Sequence, residues 1–201
     1  MKMTKMFTVI FVAFCFAGLL NAKDIKFVFG GAATPPPEGY VKVSGKLLYD
    51  QTTGYGWIKL AAYDCGPFDT AKSEQTKTSC ECKPETKEAP FRVDLPNGVY
   101  QVKVYIGHVM PTEGRKVCLA VNGKVLVAPP GAGGWGSLAT PIVPAVVTEG
   151  KMELLFFAAE GGRIAVFAAE ITEVKDKVLS NKLQQQFEDA PDYQANTNAA
   201  K

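Results

Sequence analysis

"APFRVDLPNGVYQVKVYIG", residues 89–107, decides the fold. Tyr100, Val102, Val104 and Ile106 alternate with Gln101 and Lys103, the two-residue period that turns one face of a strand to a core and the other to water. "APFRVDL" before it reads as a second strand, and Pro96 with the Asn97-Gly98 pair supplies a tight turn between them. The stretch predicts a β-hairpin, because Asn-Gly tolerates the positive φ angles that a two-residue hairpin turn demands.

The same device recurs outward along the chain. "VCLAVNGKVLVA" (117–128) places two strand-like runs around Asn122-Gly123, and "KMELLFFAA" with "GRIAVFAAEITEV" predicts a third pair across Gly161-Gly162. Near the start, "DIKFVF" (24–29) and "YVKVSG" (40–45) are short strands around the proline-rich corner "TPPPEG". About eight short strands with turn chemistry between them and no long helical period describe an all-β antiparallel sandwich.

The chain opens "MKMTKMFTVIFVAFCFAGLLNA", where Lys2 and Lys5 precede an apolar run that closes on the small residue Ala22. This is the pattern of a secretory signal peptide, residues 1–22. The run is shorter than the roughly 20 residues that span a bilayer, so no stable membrane span is expected after cleavage. The expected location is secreted or periplasmic. Beyond the leader, length and patterning predict one β-sandwich domain, 23–174, and a C-terminal segment, 175–201. The full chain has 22 basic and 20 acidic residues. Losing Lys2 and Lys5 with the leader balances them, which leaves no overall basic surplus to attract nucleic acid.

Four cysteines remain beyond the leader: Cys65, Cys80, Cys82 and Cys118. In an oxidising compartment they predict two disulfides, with Cys118 joined to either Cys80 or Cys82, since Cys80 and Cys82 are too close in sequence to bridge each other. A four-thiolate zinc site is the alternative, although the usual C-x-x-C knuckles are missing. Residues 69–88, "DTAKSEQTKTSCECKPETKE", read as a polar surface loop pinned by these cysteines. Val178, Leu179, Leu183 and Phe187 lie near one helical stripe, so 176–187 predicts a short amphipathic helix. That helix either packs on its own sandwich or docks on a protein partner. "EDAPDYQANTNAAK" after it reads as disordered.

No motif signals catalysis. There is no G-x-S-x-G elbow, no H-E-x-x-H pair, no calcium loop and no glycine-rich turn opening a helix. No cofactor is implied, and a structural calcium finds no support. His108, the single histidine, ends the strand "VYIGH" and is a candidate polar contact. Aromatics set among glycines are the better candidates. Tyr55 and Trp57 in "TTGYGWIK" are two residues apart, so an extended backbone projects both rings to one side. Trp135 sits in the glycine-rich "PPGAGGWGSLAT" (129–140). Such rings serve as stacking surfaces for the apolar faces of sugars, or they cap the end of the core.

"FVFGGAATPPPEGYVKVSGKLLYDQTTGYGW", "FRVDLPNGVYQVKVYIGH" and "WGSLATPIVPAVVTEGKMELLFFA" together resemble the galactose-binding-like, malectin-like β-sandwich modules that precede catalytic domains in some rhamnogalacturonan acetylesterases and other polysaccharide-degrading enzymes. The likeness spans residues 24–174. At three places where those modules often carry aspartate or asparagine this chain has Val28, His108 and Ala168. The resemblance implies a carbohydrate-associated, non-catalytic sandwich. With the aromatic residues it leads to an expected glycan-binding protein, with Tyr55, Trp57, Trp135 and His108 as ligand contacts. A structural or assembly subunit of the cell envelope, connected through 176–187, is the alternative.

Overall fold

The structure, a computed structural model, describes residues 24–31, 34–59, 62–66, 73–82, 88–107, 117–127, 138–158 and 165–194. The expected leader lies outside them. In chain order the elements are β1 (Asp24–Phe29), β2 (Val41–Val43), β3 (Tyr55–Trp57), β4 (Ala62–Cys65), β5 (Ser79–Cys82), β6 (Glu88–Asp94) and β7 (Gly98–Gly107). The second half holds β8 (Val117–Val121), β9 (Lys124–Val127), β10 (Leu138–Ala139), β11 (Ile142–Val147), β12 (Lys151–Ala158), β13 (Ala165–Glu173) and the helix α1 (Lys177–Glu188). Two sheets form the predicted sandwich. One runs β3-β6-β12-β8-β9; the larger, eight-stranded sheet is built around β7 and β13, with β1 and β2 beyond β13 and β10 and β11 on the far side of β7. All pairings between these strands are antiparallel except β1 with β2.

Aromatic side chains from both sheets interlock between the layers. Phe27 and Phe29 of β1 meet Phe91 of β6, each with ring centroids 5.2 Å apart and edge-on. Trp57 of β3 fits between Phe29 and Phe91, at 5.3 and 5.2 Å. Edge-to-face packing is the arrangement that ring quadrupoles favour, and large rings bury much apolar area. The aliphatic residues Val102, Val104 and Ile106 of β7 and Leu154 and Met152 of β12 complete this core with no exposed surface.

The predicted hairpin of 89–107 does not form. β6 pairs with β12 and β3, whereas β7 pairs with β13, β10 and β11 in the other sheet, so the Asn97-Gly98 turn crosses from one layer to the other. The expected pairing across Gly161-Gly162 fails likewise, because β12 and β13 lie in different sheets. Backbone geometry separates the two Asn-Gly pairs. Asn122 and Gly123 have φ of 46° and 80° and join β8 to β9 as a true hairpin, while neither Asn97 nor Gly98 has positive φ. At the crossover the Asn97 side chain accepts from Gly150 N at 2.8 Å, and the Tyr100 hydroxyl donates to Pro96 O at 2.8 Å. These contacts clamp an inter-sheet corner, a use of asparagine that the dipeptide alone does not reveal.

Gly56 meets a steric demand. Its φ is +149°, and a Cβ there would lie 2.5 Å from Tyr49 N, because the chain at 47–49 runs alongside β3 and bonds to it through Trp57 N to Leu47 O and Tyr49 N to Trp57 O. The segment predicted as a polar loop, 69–88, also departs from expectation. Within it Ser79–Cys82 form β5, which pairs with β4 and with the start of β13, and Thr76, Thr78, Ser79 and Glu81 are buried.

The helix packs on its own sandwich. Asp176 caps it by accepting from Leu179 N at 2.8 Å, and Leu183 and Phe187 are buried against the core. Those two anchors are thereby unavailable to another chain, although Val178 and Leu179 remain exposed. The described part of the tail is ordered, contrary to expectation. Val125 N donates to Pro191 O and Tyr193 N to Gly123 O, which covers the open edge of β9. The Tyr193 ring lies 4.7 Å from that of Phe157, and its hydroxyl donates to Glu88 at 2.6 Å.

Two substitutions test this packing. Phe187→Ala is expected to remove about 3 kcal/mol of stability by leaving a cavity under the helix. Gly56→Ala is expected to cost about 3 kcal/mol through backbone strain and displacement of 47–49. Urea unfolding reads both, and unchanged midpoints would contradict the close approach of 47–49 to Gly56 and the seat of the helix.

Candidate functional site

The aromatic pair expected to meet a ligand points inward. Tyr55 and Trp57 do share one side of β3, as their spacing requires, but that side is the core side. Cross-strand partners share a face, and Trp57 stands opposite Phe91 and Tyr55 opposite Val93, both core residues. Trp57 has 0% exposure, and its indole N–H donates to Ser44 O at 3.2 Å. Tyr55 is half-buried with its ring 5.2 Å from Phe27. Trp57 therefore closes the core and is withdrawn as a stacking candidate. His108 and Trp135 lie outside the described residues. The strand residues nearest them, Gly107 and Leu138, pair directly with each other.

The cysteines are placed by the sheets. Cys80 of β5 belongs to the core cluster, its sulfur 3.6 Å from Val43 O and 3.5 Å from Asp64 Oδ1. Cys118 of β8 stands opposite Phe157, on the face away from the core residues Leu119 and Phe156. A Cys80–Cys118 bridge, one of the two expected pairings, is ruled out because the sulfurs lie on different sheets and one faces inward while the other faces outward. In backbone register Cys65 stands opposite Ser79 and Cys82 opposite Ala62.

A polar array that the sequence reading did not single out covers the outer face of the eight-stranded sheet. Register generates it. Lys26 of β1 stands opposite Glu170 of β13, which stands opposite Lys103 of β7. In the next row, Lys42 of β2, Val28, Ala168 and Tyr105 are successive cross-strand neighbours. Tyr40 precedes β2 and lies beside Lys26, with the Lys26 ammonium 5.8 Å from its ring centre. Lys26, Glu170, Lys103 and Tyr105 alternate with core residues and so project outward, as does Lys42 next to the core residue Val43; Tyr105 is covered there, with 8% exposure.

Glu170 organises this face. Its Oε1 accepts from the Tyr40 hydroxyl at 2.5 Å and from the Tyr105 hydroxyl at 2.8 Å. The Gln75 amide donates to the Tyr40 oxygen at 3.3 Å, and Lys103 lies 3.9 Å from Oε2 and 4.7 Å from the Tyr105 ring centre. Burial, followed by the hydrogen bond to Glu170, pushes the Tyr40 phenol well above its ordinary range. Tyr105 is also raised, chiefly by burial. Lys103 is raised, first by its hydrogen bond with Tyr105. Lys42 is lowered, because desolvation outweighs the attraction of Asp64, and its amine meets Thr34 O. The result is a platform in which the buried Tyr105 and the half-buried Tyr40 hold one carboxylate, with amines at its flanks. Such a surface can hydrogen-bond hydroxyl groups and present the Tyr40 ring to an apolar ligand face. Beside Lys103 the apolar Ile142 is 61% exposed and extends it.

Two of the three departures from the resembling modules prove to be one place. Val28 and Ala168 are direct cross-strand partners, so the positions where the modules often have aspartate and asparagine form a single apolar pair here, 2% and 0% exposed. Sequence contained one signal for the array itself. Glu170 is a lone charge inside the otherwise apolar "AVFAAE", at an outward position of a central strand.

This architecture defines a galactose-binding-like β-sandwich. Residues 25–173 match the family described as beta-agarase/YXIM esterase-like, galactose-binding domain-like, and the chain belongs to that family. It is 28% identical over 186 residues to the uncharacterised esterase YxiM of Bacillus subtilis strain 168, covering 87% of this chain and 44% of that protein. The crystal structure of the Bacillus subtilis protein superimposes with a TM-score of 0.57 at 26% identity, over 76% of this chain and 40% of that one. A calcium-binding mutant of Bacteroides uniformis beta-glucuronidase 2 shares the fold, with a TM-score of 0.58 at 14% identity over 79% of this chain and 19% of that one. The chain thus spans less than half the length of these relatives.

The phenol network has a measurable signature. Tyr40, Tyr49, Tyr100, Tyr105 and Tyr193 are all raised from the ordinary value of 10.0. A raised phenol favours the fold fully below its unfolded pKa, and that contribution is lost as pH climbs toward the folded value. Phenolate absorbance of the native protein is therefore expected to lag behind that of urea-unfolded protein above pH ~10, with stability falling over the same range. Coincident titration curves would contradict the Glu170 network.

Proposed function

We propose that this domain is a non-catalytic glycan-binding module of a secreted or periplasmic protein, with the outer face of the eight-stranded sheet as its binding platform. The observation that carries the proposal is the convergence of Tyr40 and the buried Tyr105 on one oxygen of Glu170, which orients the Tyr40 ring beside a carboxylate whose side chain keeps 21% exposure. Sugars present hydroxyl groups beside patches of C–H, and recognition needs fixed polar groups next to flat apolar surface. Sheet residues hold such groups with less conformational freedom than loops do. Membership of a galactose-binding domain-like family supports the same reading. The esterase name of YxiM is not carried over, because the chain accounts for 44% of that protein.

Gel retardation in the presence of neutral and acidic polysaccharides tests the proposal. Tyr40→Ala and Glu170→Gln are each expected to weaken retardation by about tenfold, as loss of a central contact does. Retention of full affinity by both variants would remove the platform from the binding site, and absence of retardation by every polymer would defeat the glycan-binding reading. The purified domain is also expected to leave aryl acetates unhydrolysed, and ester cleavage by it would refute the non-catalytic assignment.

A further inference from the structure

We infer that the platform selects glycans bearing anionic groups, hexuronate carboxylates or sulfate esters, and that Lys26 and Lys103 are the residues that recognise them. The inference rests on the glycan-binding reading and narrows its ligand class. Its starting point is local charge. Across the two rows of the array stand three amines, Lys26, Lys42 and Lys103, and one carboxylate, Glu170. Lys42 has Asp64 and Thr34 O as partners, which leaves Lys26 and Lys103 as the amines on either side of Glu170.

The single carboxylate is already engaged. Glu170 Oε1 accepts from two phenols, and Oε2 lies at 3.9 Å from Lys103, the outer limit of an ion pair. Lys103 leans over the Tyr105 ring at 4.7 Å and hydrogen-bonds that phenol, and Lys26 lies near the Tyr40 ring at 5.8 Å and forms no ion pair among the described residues. A cation resting on an aromatic face at an exposed site is held weakly. Lys26 can turn to an incoming anion without breaking an ion pair, and Lys103 can do so by giving up a neutral hydroxyl.

Geometry suits an extended chain of sugars. Lys26 and Lys103 flank Glu170 on the two neighbouring strands, so their stems stand about 10 Å apart, two inter-strand spacings. That separation is on the scale of a disaccharide, so alternate anionic residues of a polymer would meet the two amines in turn. Glu170 between them disfavours an anion directly above it and leaves its neighbourhood to a neutral hydroxyl. The exposed Ile142 at the end of the row adds an apolar rim beside Lys103.

Affinity electrophoresis of the full chain with polygalacturonate, dextran sulfate and neutral galactan tests the inference. One or both acidic polymers are expected to retard the protein more than galactan does, and the two acidic arms separate carboxylate from sulfate recognition. Binding is expected to weaken as salt rises, because exposed charges are screened. Replacing both lysines, Lys26→Gln with Lys103→Gln, is expected to weaken acidic-polymer binding by roughly tenfold, the sum of two exposed ion pairs. The control removes two lysines elsewhere, Lys59→Gln with Lys151→Gln, each of which has its own carboxylate partner. Equal loss in the control would reveal diffuse attraction and overturn the inference. Salt-independent binding with galactan as good as the acidic polymers would also overturn it while leaving the glycan-binding reading intact. Failure of all three polymers would defeat that broader reading and this one together.

Discussion

The interlock of Phe27 and Phe29 with Trp57 and Phe91 between the two sheets is the contact on which the other features depend. Four large rings, three of their contacts edge to face and one tilted, set the spacing of the layers and dictate which face of β1, β3 and β6 turns inward. Strand residues alternate, so the inward face determines the outward one. Once Phe27 and Phe29 are in the core, Lys26 and Val28 must point outward, and register carries that choice to Glu170 and Ala168 on β13 and to Lys103 and Tyr105 on β7. The polar platform is the reverse side of the aromatic core.

The connections between layers give the sandwich its particular form. Four connections, β3 to β4, β6 to β7, β9 to β10 and β12 to β13, carry the chain from the five-stranded to the eight-stranded sheet, and the second is clamped by Asn97 and Tyr100. β13 is paired on one side by β7 along most of its length. Its other side is shared, β5 at Ala165 and Val166 and β1 from Ala168 onward, with the register shift between Val166 and Ala168 marking the change of neighbour. Glu170 lies just beyond that change, in the stretch paired by β1 and β7, which places the carboxylate between two lysines. The helix and the described tail cover other parts of the molecule: Phe187 fills the core and Tyr193 lies over Phe157 on the opposite sheet. The platform face is formed by β1, β2, β7 and β13, with Gln75 reaching Tyr40 and Ile142 of β11 at its edge.

Much of the fold was legible because its signals are local. The period of two in "GVYQVKVYIG", the Asn122-Gly123 hairpin and the apolar stripe holding Leu183 and Phe187 all depend on residues close in sequence. Partner choice was not legible. Asn97-Gly98 and Asn122-Gly123 are the same dipeptide between similar strands, yet only the second has the positive φ angles of a hairpin, because the first must turn between layers. The polarity of the tail suggests disorder, but the unpaired edge of β9 gives its backbone partners. Likewise "SCEC" reads as a loop until β4 and β13 supply strands for it to pair with.

Sequence by itself determined that Tyr55 and Trp57 share a side, that strands outnumber helices, and that the chain has the motifs of a galactose-binding-like sandwich. Only tertiary structure decided that this shared side faces the core, and that Tyr40, Lys26, Glu170, Lys103 and Tyr105, spread over more than a hundred residues, form one surface. The physical reason is that alternation within a strand specifies two faces without saying which is inside. That choice, and the set of residues that become neighbours across strands, comes from register and from the large side chains that must find each other between the sheets.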